Sequence, residues 1–193
     1  MLLSGASLSI MPILPREAEI SSEDLFDLDP VSLPWIVAHV RSRFEKSLAR
    51  HLFVEKIPFY LPQVERVKRD GRQSSFLPLF AGYVFLRGLS EARRVVWRSG
   101  VEPLLIEVDD QQTLTSELRQ IRALQLAGAS LEPVTEFVPG GTVRITEGVF
   151  RGYSGIVVND RGQERIIVRL SLVRRQIAVE FPSALLTPLR AIK

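Results

Sequence analysis

The chain has 193 residues, of which 46% are hydrophobic and 24% are charged, as is usual for a protein with a sizeable buried core. It contains no cysteine, which excludes disulfides, thiol catalysis, iron–sulfur clusters and cysteine-ligated zinc. The histidines are His39 and His51, and no carboxylates accompany them at metal-ligand spacing. We therefore expect no metal site, and no other cofactor is predicted.

The first residues favour neither export nor membrane insertion. Arg16 is the first basic residue, and Pro12 and Pro15 interrupt the apolar stretch that precedes it. A signal peptide would place basic residues before an uninterrupted apolar run, and a membrane span needs about 20 apolar residues. The expectation is a soluble, cytoplasmic protein with no membrane partner.

The net charge of +3 is unevenly distributed along the chain. Residues 1–34 have one basic and six acidic side chains, residues 35–127 have 15 and 10, and residues 128–193 have nine and six. Residues 1–34 also hold four prolines and show no sustained periodicity. This pattern predicts a mostly flexible acidic extension with one helical turn near 23–26. The two basic units that follow could lie close to a polyanion.

Residues 35–127 show the pattern of an α+β domain. Trp35–Val40 is a short apolar run rich in β-formers, which predicts a buried strand. Ser42–Glu45 has the spacing of a capping box, so we expect a helix to start there, with Phe44, Leu48 and Leu52 on one face. Further strands are predicted at 59–67, 79–86 and 104–108, further helices at 90–99 and 113–127, and a basic hairpin tip at 66–72. This mixture predicts a mixed or antiparallel sheet with flanking helices.

After the last of these helices the helical period disappears. Gly128, Pro133 and Pro139 indicate a linker over 128–139. Short β-rich runs then recur at 143–145, 155–158, 165–170 and 176–181. About five strands within residues 140–193 predict a small SH3-like barrel, because closing the sheet removes its exposed edges.

The most specific motif of the chain lies at residues 141–157. Gly148, Gly152 and Gly155 permit tight bends there, while branched apolar residues on either side can fill a core. The segment closely resembles the KOW motif. Phe150 lies in its glycine-bounded loop, where a large aromatic side chain is available to a partner, so Phe150 is the candidate partner-binding residue of this domain.

The pattern of residues 35–127 is similar to that of the NusG N-terminal domain. The segments that carry the resemblance are Trp35–Val37, Phe59–Pro62 and Pro78–Phe85. Together with the KOW segment, the resemblance to the NusG family covers about residues 35–189 in family order. It implies a non-enzymatic, monomeric transcription elongation and antitermination factor. The N-terminal domain of such a factor binds the clamp helices of the largest RNA polymerase subunit, and its barrel recruits Rho or ribosomal protein S10.

The resemblance also implies which residues bind the polymerase. Phe80 and Tyr83 match aromatic residues of the polymerase-binding pocket, and His39 matches a polar or aromatic position on the first strand. In an ideal strand Phe80 and Tyr83 would face opposite sides of the sheet, so they share a pocket only if the chain bends near Gly82. The family's usual proline before this glycine is Ala81 here.

Further contacts are implied on either side of that pocket. Arg41, His51 and Arg98 match or lie near positions with which the specialised paralogue RfaH contacts the non-template DNA strand. Arginine suits such a contact, since it can pair with phosphate or stack on an unpaired base. Arg93 and Arg94 fall where the family approaches the opposite lobe of the polymerase.

Two alternatives stay open. The acidic extension, Ala81 and the altered segment around Arg93 favour a specialised, RfaH-like paralogue over a housekeeping factor. A KOW barrel also occurs in ribosomal proteins, so an RNA-binding or ribosome-associated KOW protein is the second functional hypothesis. An enzyme is disfavoured, because the sequence has no phosphate-binding glycine-rich loop and no Ser-His-Asp arrangement.

Overall fold

The computed structural model describes residues 19–22, 24–67, 74–134, 142–145, 154–160, 163–170, 175–180 and 186–188. The helices are α1 (Glu45–Val54), α2 (Leu89–Arg98) and α3 (Gln111–Leu126). The first strands are β1 (Trp35–His39), β2 (Phe59–Tyr60), β3 (Gln63–Val67), β4 (Ser74–Pro78), β5 (Tyr83–Arg87), β6 (Leu104–Glu107) and β7 (Leu131–Val134). The later strands are β8 (Thr142–Ile145), β9 (Ser154–Asp160), β10 (Gln163–Leu170), β11 (Arg175–Glu180) and β12 (Leu186–Pro188).

A four-stranded antiparallel sheet in the order β2-β5-β1-β6 organises the first part of the chain. Helix α1 connects β1 to β2, and helix α2 connects β5 to β6, so that each helix links two strands with a third strand between them. This is the β-α-β-β-α-β arrangement of the ferredoxin-like fold. The α+β class predicted from the sequence is confirmed for this part of the chain.

The two faces of the sheet bury separate apolar clusters. Alternate residues of β1 divide between them: Ile36 and Ala38 pack under α1 and α2, whereas Trp35 and Val37 pack under α3. Helix α3 contributes a stripe with helical spacing to the second cluster, formed by Leu114, Leu118, Ile121 and Leu124. The period-2 alternation of a strand and the 3.6-residue period of a helix thus generate both clusters directly.

Residues 19–34 belong to the folded core, which differs from the predicted flexible extension. Leu25 and Phe26 are buried in the cluster under α3, and Ile20 forms a β-bridge with Tyr60 on the edge strand β2. Two acidic side chains of the segment, Glu19 and Asp27, pair with Arg122 and Arg119 of α3. The apolar residues of the segment therefore cover part of the apolar cluster under α3. The predicted helical turn near 23–26 is present as a turn at residues 24–27.

Three further boundaries differ from the predictions. The predicted strand at 59–67 is split into β2 and β3 at Leu61–Pro62, because a proline cannot donate a hydrogen bond to a neighbouring strand. The predicted strand at 79–86 begins only at Tyr83, because Leu79–Gly82 forms a turn. Helix α1 starts at Glu45 without a side-chain cap, and Phe44 is exposed instead of lying on the buried face. The tip of the β3–β4 hairpin lies outside the described residues from position 68 to 73.

The later strands form a six-stranded antiparallel sheet in the order β12-β8-β9-β10-β11-β7. Each described residue of the β-rich runs predicted after residue 140 lies within one of its strands, and Phe181 is outside the described residues. Strand β7 falls inside the segment predicted as a linker and forms one edge of the sheet. Closure of the sheet into a barrel stays a prediction.

The role of residues 19–34 in the core can be tested by paired substitutions. Leu25→Ala should lower the free energy of unfolding by about 2–5 kcal/mol, because it empties a fully buried site. Val31→Ala, in the same segment but 88% exposed, should change it by less than about 0.5 kcal/mol. Denaturant unfolding of both variants measures the difference, and equal stability of the two would contradict the packing.

Candidate functional site

Three side chains from adjacent strands form a row at one end of the four-stranded sheet. His39, the last residue of β1, lies opposite Tyr83 of β5 on one side and opposite Leu104 of β6 on the other. All three belong to the face of the sheet that α3 covers elsewhere, since their alternate neighbours lie in the cluster under α3. The rings of His39 and Tyr83 are 4.8 Å apart between centroids.

Helix α3 leaves this row uncovered because its start is tied to the opposite end of β1. The side chain of Gln111 accepts a hydrogen bond from the Trp35 backbone N–H at 2.6 Å and donates one to the Trp35 carbonyl at 3.0 Å. At the open end, His39 is exposed, Tyr83 is half-buried and Leu104 is 65% exposed. The result is an accessible aromatic and apolar surface, of a kind enriched at protein–protein interfaces.

Phe80 supports this surface from below and has little surface of its own. It is only 3% exposed and packs edge-on against Phe85, with ring centroids 6.0 Å apart. Phe80 and Tyr83 belong to the same apolar cluster, because the chain turns between them and the Tyr83 backbone N–H donates to the Phe80 carbonyl at 3.1 Å. The bend near Gly82 that would let Phe80 and Tyr83 lie on the same side of the sheet is therefore present, although Ala81 replaces the family's proline.

The turn is fixed by contacts with β1 and α1. Gly82 has φ +86°, a left-handed conformation that favours glycine, and a Cβ there would meet the Val40 carbonyl oxygen at 3.1 Å. The Val40 N–H donates to the Gly82 carbonyl at 2.8 Å, and the Gly82 N–H donates to Oε1 of the buried Glu45 at 2.6 Å. The predicted capping box is thus wrong: the Glu45 carboxylate holds the turn that carries Tyr83.

The predicted nucleic-acid residues separate into two groups. Arg41 follows β1 and Arg98 ends α2, so the topology places both at the same end of the sheet as His39, and both are exposed. His51 lies further along α1, is half-buried, and has its Nε2 atom 3.1 Å from the Val95 carbonyl oxygen of α2. That contact makes His51 a link between the two helices.

The residues predicted to contact a second polymerase lobe are engaged in exposed ion pairs. Arg93 pairs with Glu107 of β6, and Arg94 pairs with Glu91 at 3.0 Å. Exposed pairs of this kind contribute little to stability and are readily exchanged for another anionic partner. Phe150, the candidate of the KOW segment, lies outside the described residues.

Sequence reasoning missed Leu104 and Trp97. Leu104 begins a run of three apolar residues, and only its register opposite His39 shows that it belongs to the open row. Trp97, near the end of α2, is 76% exposed, which is unusual for so large an apolar side chain. Its position on the polar face of an amphipathic helix was the available signal.

Two classes of site are not found among the described residues. No group of three or more histidine, aspartate or glutamate side chains there is arranged to hold a metal ion. No helix in the same part of the chain has the length and apolar character that a membrane crossing requires.

The sequence matches the family model described as transcription termination factor nusG over residues 33–151, more than half of the chain. The chain belongs to the NusG family. It is also similar to the transcription termination/antitermination protein NusG of Buchnera aphidicola subsp. Baizongia pistaciae (strain Bp), with 26% identity over 170 residues that cover 76% of this chain and 91% of the relative. NusG-family proteins are regulators of transcription termination and antitermination, and they are not enzymes.

Similar solved structures include one that describes domain interaction in Thermotoga maritima NusG. It has a TM-score of 0.43 and 19% identity, with 83% of this chain and 99% of that chain covered. A crystal structure of the MjSpt4:Spt5 complex in conformation B has a TM-score of 0.27 and 12% identity, with 80% of this chain and 96% of that chain covered.

The anchoring of the Gly82 turn gives a testable expectation. Glu45→Ala should lower the free energy of unfolding by about 1–3 kcal/mol, because it leaves the buried Gly82 N–H without an acceptor. Glu45→Gln should cost less, since the amide oxygen can still accept this hydrogen bond. The control is Glu55→Ala at the exposed end of α1, which should be within about 0.5 kcal/mol of the unmodified chain. Equal losses at positions 45 and 55 in denaturant unfolding would refute the anchoring role.

Proposed function

We propose that this NusG-family protein is a bacterial transcription elongation and antitermination factor that binds RNA polymerase through the row of His39, Tyr83 and Leu104. The observation that supports the proposal is the open end of the sheet, where these three side chains stand in register and α3 does not cover them. The clamp helices of the largest polymerase subunit are the proposed binding partner, by resemblance to the family.

The shape and chemistry of the row suit a helical partner. Three side chains on adjacent strands span about 10 Å at the usual strand spacing of about 4.8 Å, which is close to the diameter of an α-helix. Aromatic side chains at the centre of such a contact each contribute about 2 kcal/mol or more when they are hot spots. Phe80 takes the role of a buried support in this proposal, since it underlies Tyr83 without an exposed surface of its own.

The basic residues next to the row extend the proposal towards DNA. Arg41 and Arg98 lie at the same end of the sheet, are exposed, and form no ion pair with other described residues. A polymerase bound at the row would bring the unpaired non-template strand near this end, by family resemblance. His51 is a weaker candidate because of its contact with Val95. Arg93 and Arg94 would need to exchange their acidic partners to reach the opposite lobe.

The later six-stranded sheet is the proposed recruitment module. Its KOW-like sequence is the basis for proposing Rho or ribosomal protein S10 as a partner, with Phe150 as the contact residue. A factor with these partners acts in the cytoplasm at the nucleoid, as a monomer bound to the transcription complex.

Binding of the full-length chain to purified core RNA polymerase tests the role of the row. The full chain is needed because residues on both sides of 35–127 pack into its core. Tyr83→Ala and Leu104→Ala should each weaken binding at least tenfold, about 1.4 kcal/mol. Leu126→Ala is the matched control: Leu126, at the end of α3, is 68% exposed against 65% for Leu104, and its truncation should leave the affinity unchanged.

Unfolding measurements on the same variants show whether a weaker affinity reflects a lost contact or a lost fold. Equal affinity of Leu104→Ala, Leu126→Ala and the unmodified chain would refute the proposed surface. Failure of the unmodified chain to bind polymerase, together with RNA binding that falls steeply with salt, would favour the ribosome-associated alternative.

A further inference from the structure

The segment between α3 and the later sheet is a strand that is anchored at its first residue. Helix α3 ends at Leu126, and Gly128 has φ +71°, so the chain reverses direction there. The Ala129 N–H donates to the Leu124 carbonyl at 3.0 Å, which fixes the reversal against the helix. Leu131, two residues later, is 8% exposed and belongs to the apolar cluster under α3.

Strand β7 begins at this buried leucine and pairs at once with the later sheet. Leu131 lies opposite Val179 of β11, and the antiparallel register continues through Glu132 opposite Ala178 to Val134 opposite Gln176. Helix α3 also lies against β10, the neighbour of β11. Leu131 is therefore both a core residue of the first unit and the first residue of β7 that pairs with β11. No unpaired residue lies between the two attachments.

We infer that residues 131–134 act as a strap that fastens the later sheet to the first unit and covers the outer edge of β11. The strap has four residues, and the third is Pro133. A proline provides no N–H for a ladder hydrogen bond. Few ladder hydrogen bonds therefore hold the strap against β11. In the strapped state the two units move as one body instead of swinging on a flexible tether.

The absence of cysteine from the sequence makes the register directly testable in the full-length chain. Two double-cysteine variants place thiols in register, at positions 132 and 178 and at positions 134 and 176. Two crossed variants use the same four positions out of register, 132 with 176 and 134 with 178. Opposed residues in an antiparallel pair have Cα atoms about 4.5–5.5 Å apart, whereas diagonal neighbours are about 7–8 Å apart. A disulfide requires Cα atoms within about 7 Å.

The in-register pairs should form an intramolecular disulfide at least ten times faster than the crossed pairs under mild oxidation. Mass spectrometry of dilute samples measures this rate and separates monomeric from dimeric products. Equal rates in the two sets of variants would overturn the strap.

A second measurement tests the anchor itself. Leu131→Ala should increase the hydrogen-exchange rate of the β11 amides that face β7 at least tenfold while leaving the ladder between β9 and β10 unchanged. Leu126→Ala, at an exposed position of α3, should change neither. Equal exchange rates of these β11 amides in Leu131→Ala, Leu126→Ala and the unmodified chain would show that Leu131 does not hold the strap.

The strap does not depend on the proposed polymerase contact, and the same variants separate the two. The reduced double-cysteine chains retain His39, Tyr83 and Leu104, so they should bind core RNA polymerase like the unmodified chain. In-register disulfides without polymerase binding would refute the proposed function and leave the strap intact. Polymerase binding together with equal disulfide rates would refute the strap and leave the proposed function intact.

Discussion

The central position of β1 determines most of what the first unit can do. Because β1 pairs with β5 on one side and β6 on the other, its last residue, His39, is placed between Tyr83 and Leu104. The same strand supplies Trp35 at its other end, which ties down the start of α3 and thereby leaves the His39 end open. A one-residue slip in either pairing would turn one member of the row to the opposite face.

The core under α3 depends on segments from outside the predicted domain. Leu25 and Phe26 enter it from the N-terminal side, and Leu131 enters it from the C-terminal side. Two acidic side chains of the first segment also pair with cationic groups on α3: Asp27 with Arg119 at 2.7 Å and Glu19 with Arg122 at 3.4 Å. Part of the basic excess calculated for residues 35–127 is therefore neutralised within the fold, whereas Arg41 and Arg98 at the open end of the sheet are exposed.

Local patterns predicted the elements, and long-range pairing decided the site. The apolar, β-former-rich run Trp35–Val40 and the helical period of α3 are properties of neighbouring residues, so the strand and the helix could be predicted from the sequence. The role of Glu45 could not be predicted from local sequence, because its carboxylate accepts a hydrogen bond from Gly82, 37 positions away. Leu104 was missed for the same physical reason: only its register opposite His39 gives it a role. The segment containing β7 resembles a linker because this strand has only four residues, one of them a proline. Four residues are too few to show the period-2 pattern of a strand.

The strap and the open row share one core, and this has a consequence for how the protein could respond to a partner. Leu131 lies in the same apolar cluster as Phe80, and Phe80 supports the turn before Tyr83. If release of the strap repacks this cluster, a ligand that prefers one packing at the row must bias the strap by the same free energy, since coupling between two sites is reciprocal. If the cluster stays intact when Leu131 leaves, the two sites are independent, and the strap governs only the edge of β11. The physical difference between these cases is the cavity left by one leucine, which costs about 2–5 kcal/mol when the surrounding side chains do not collapse into it.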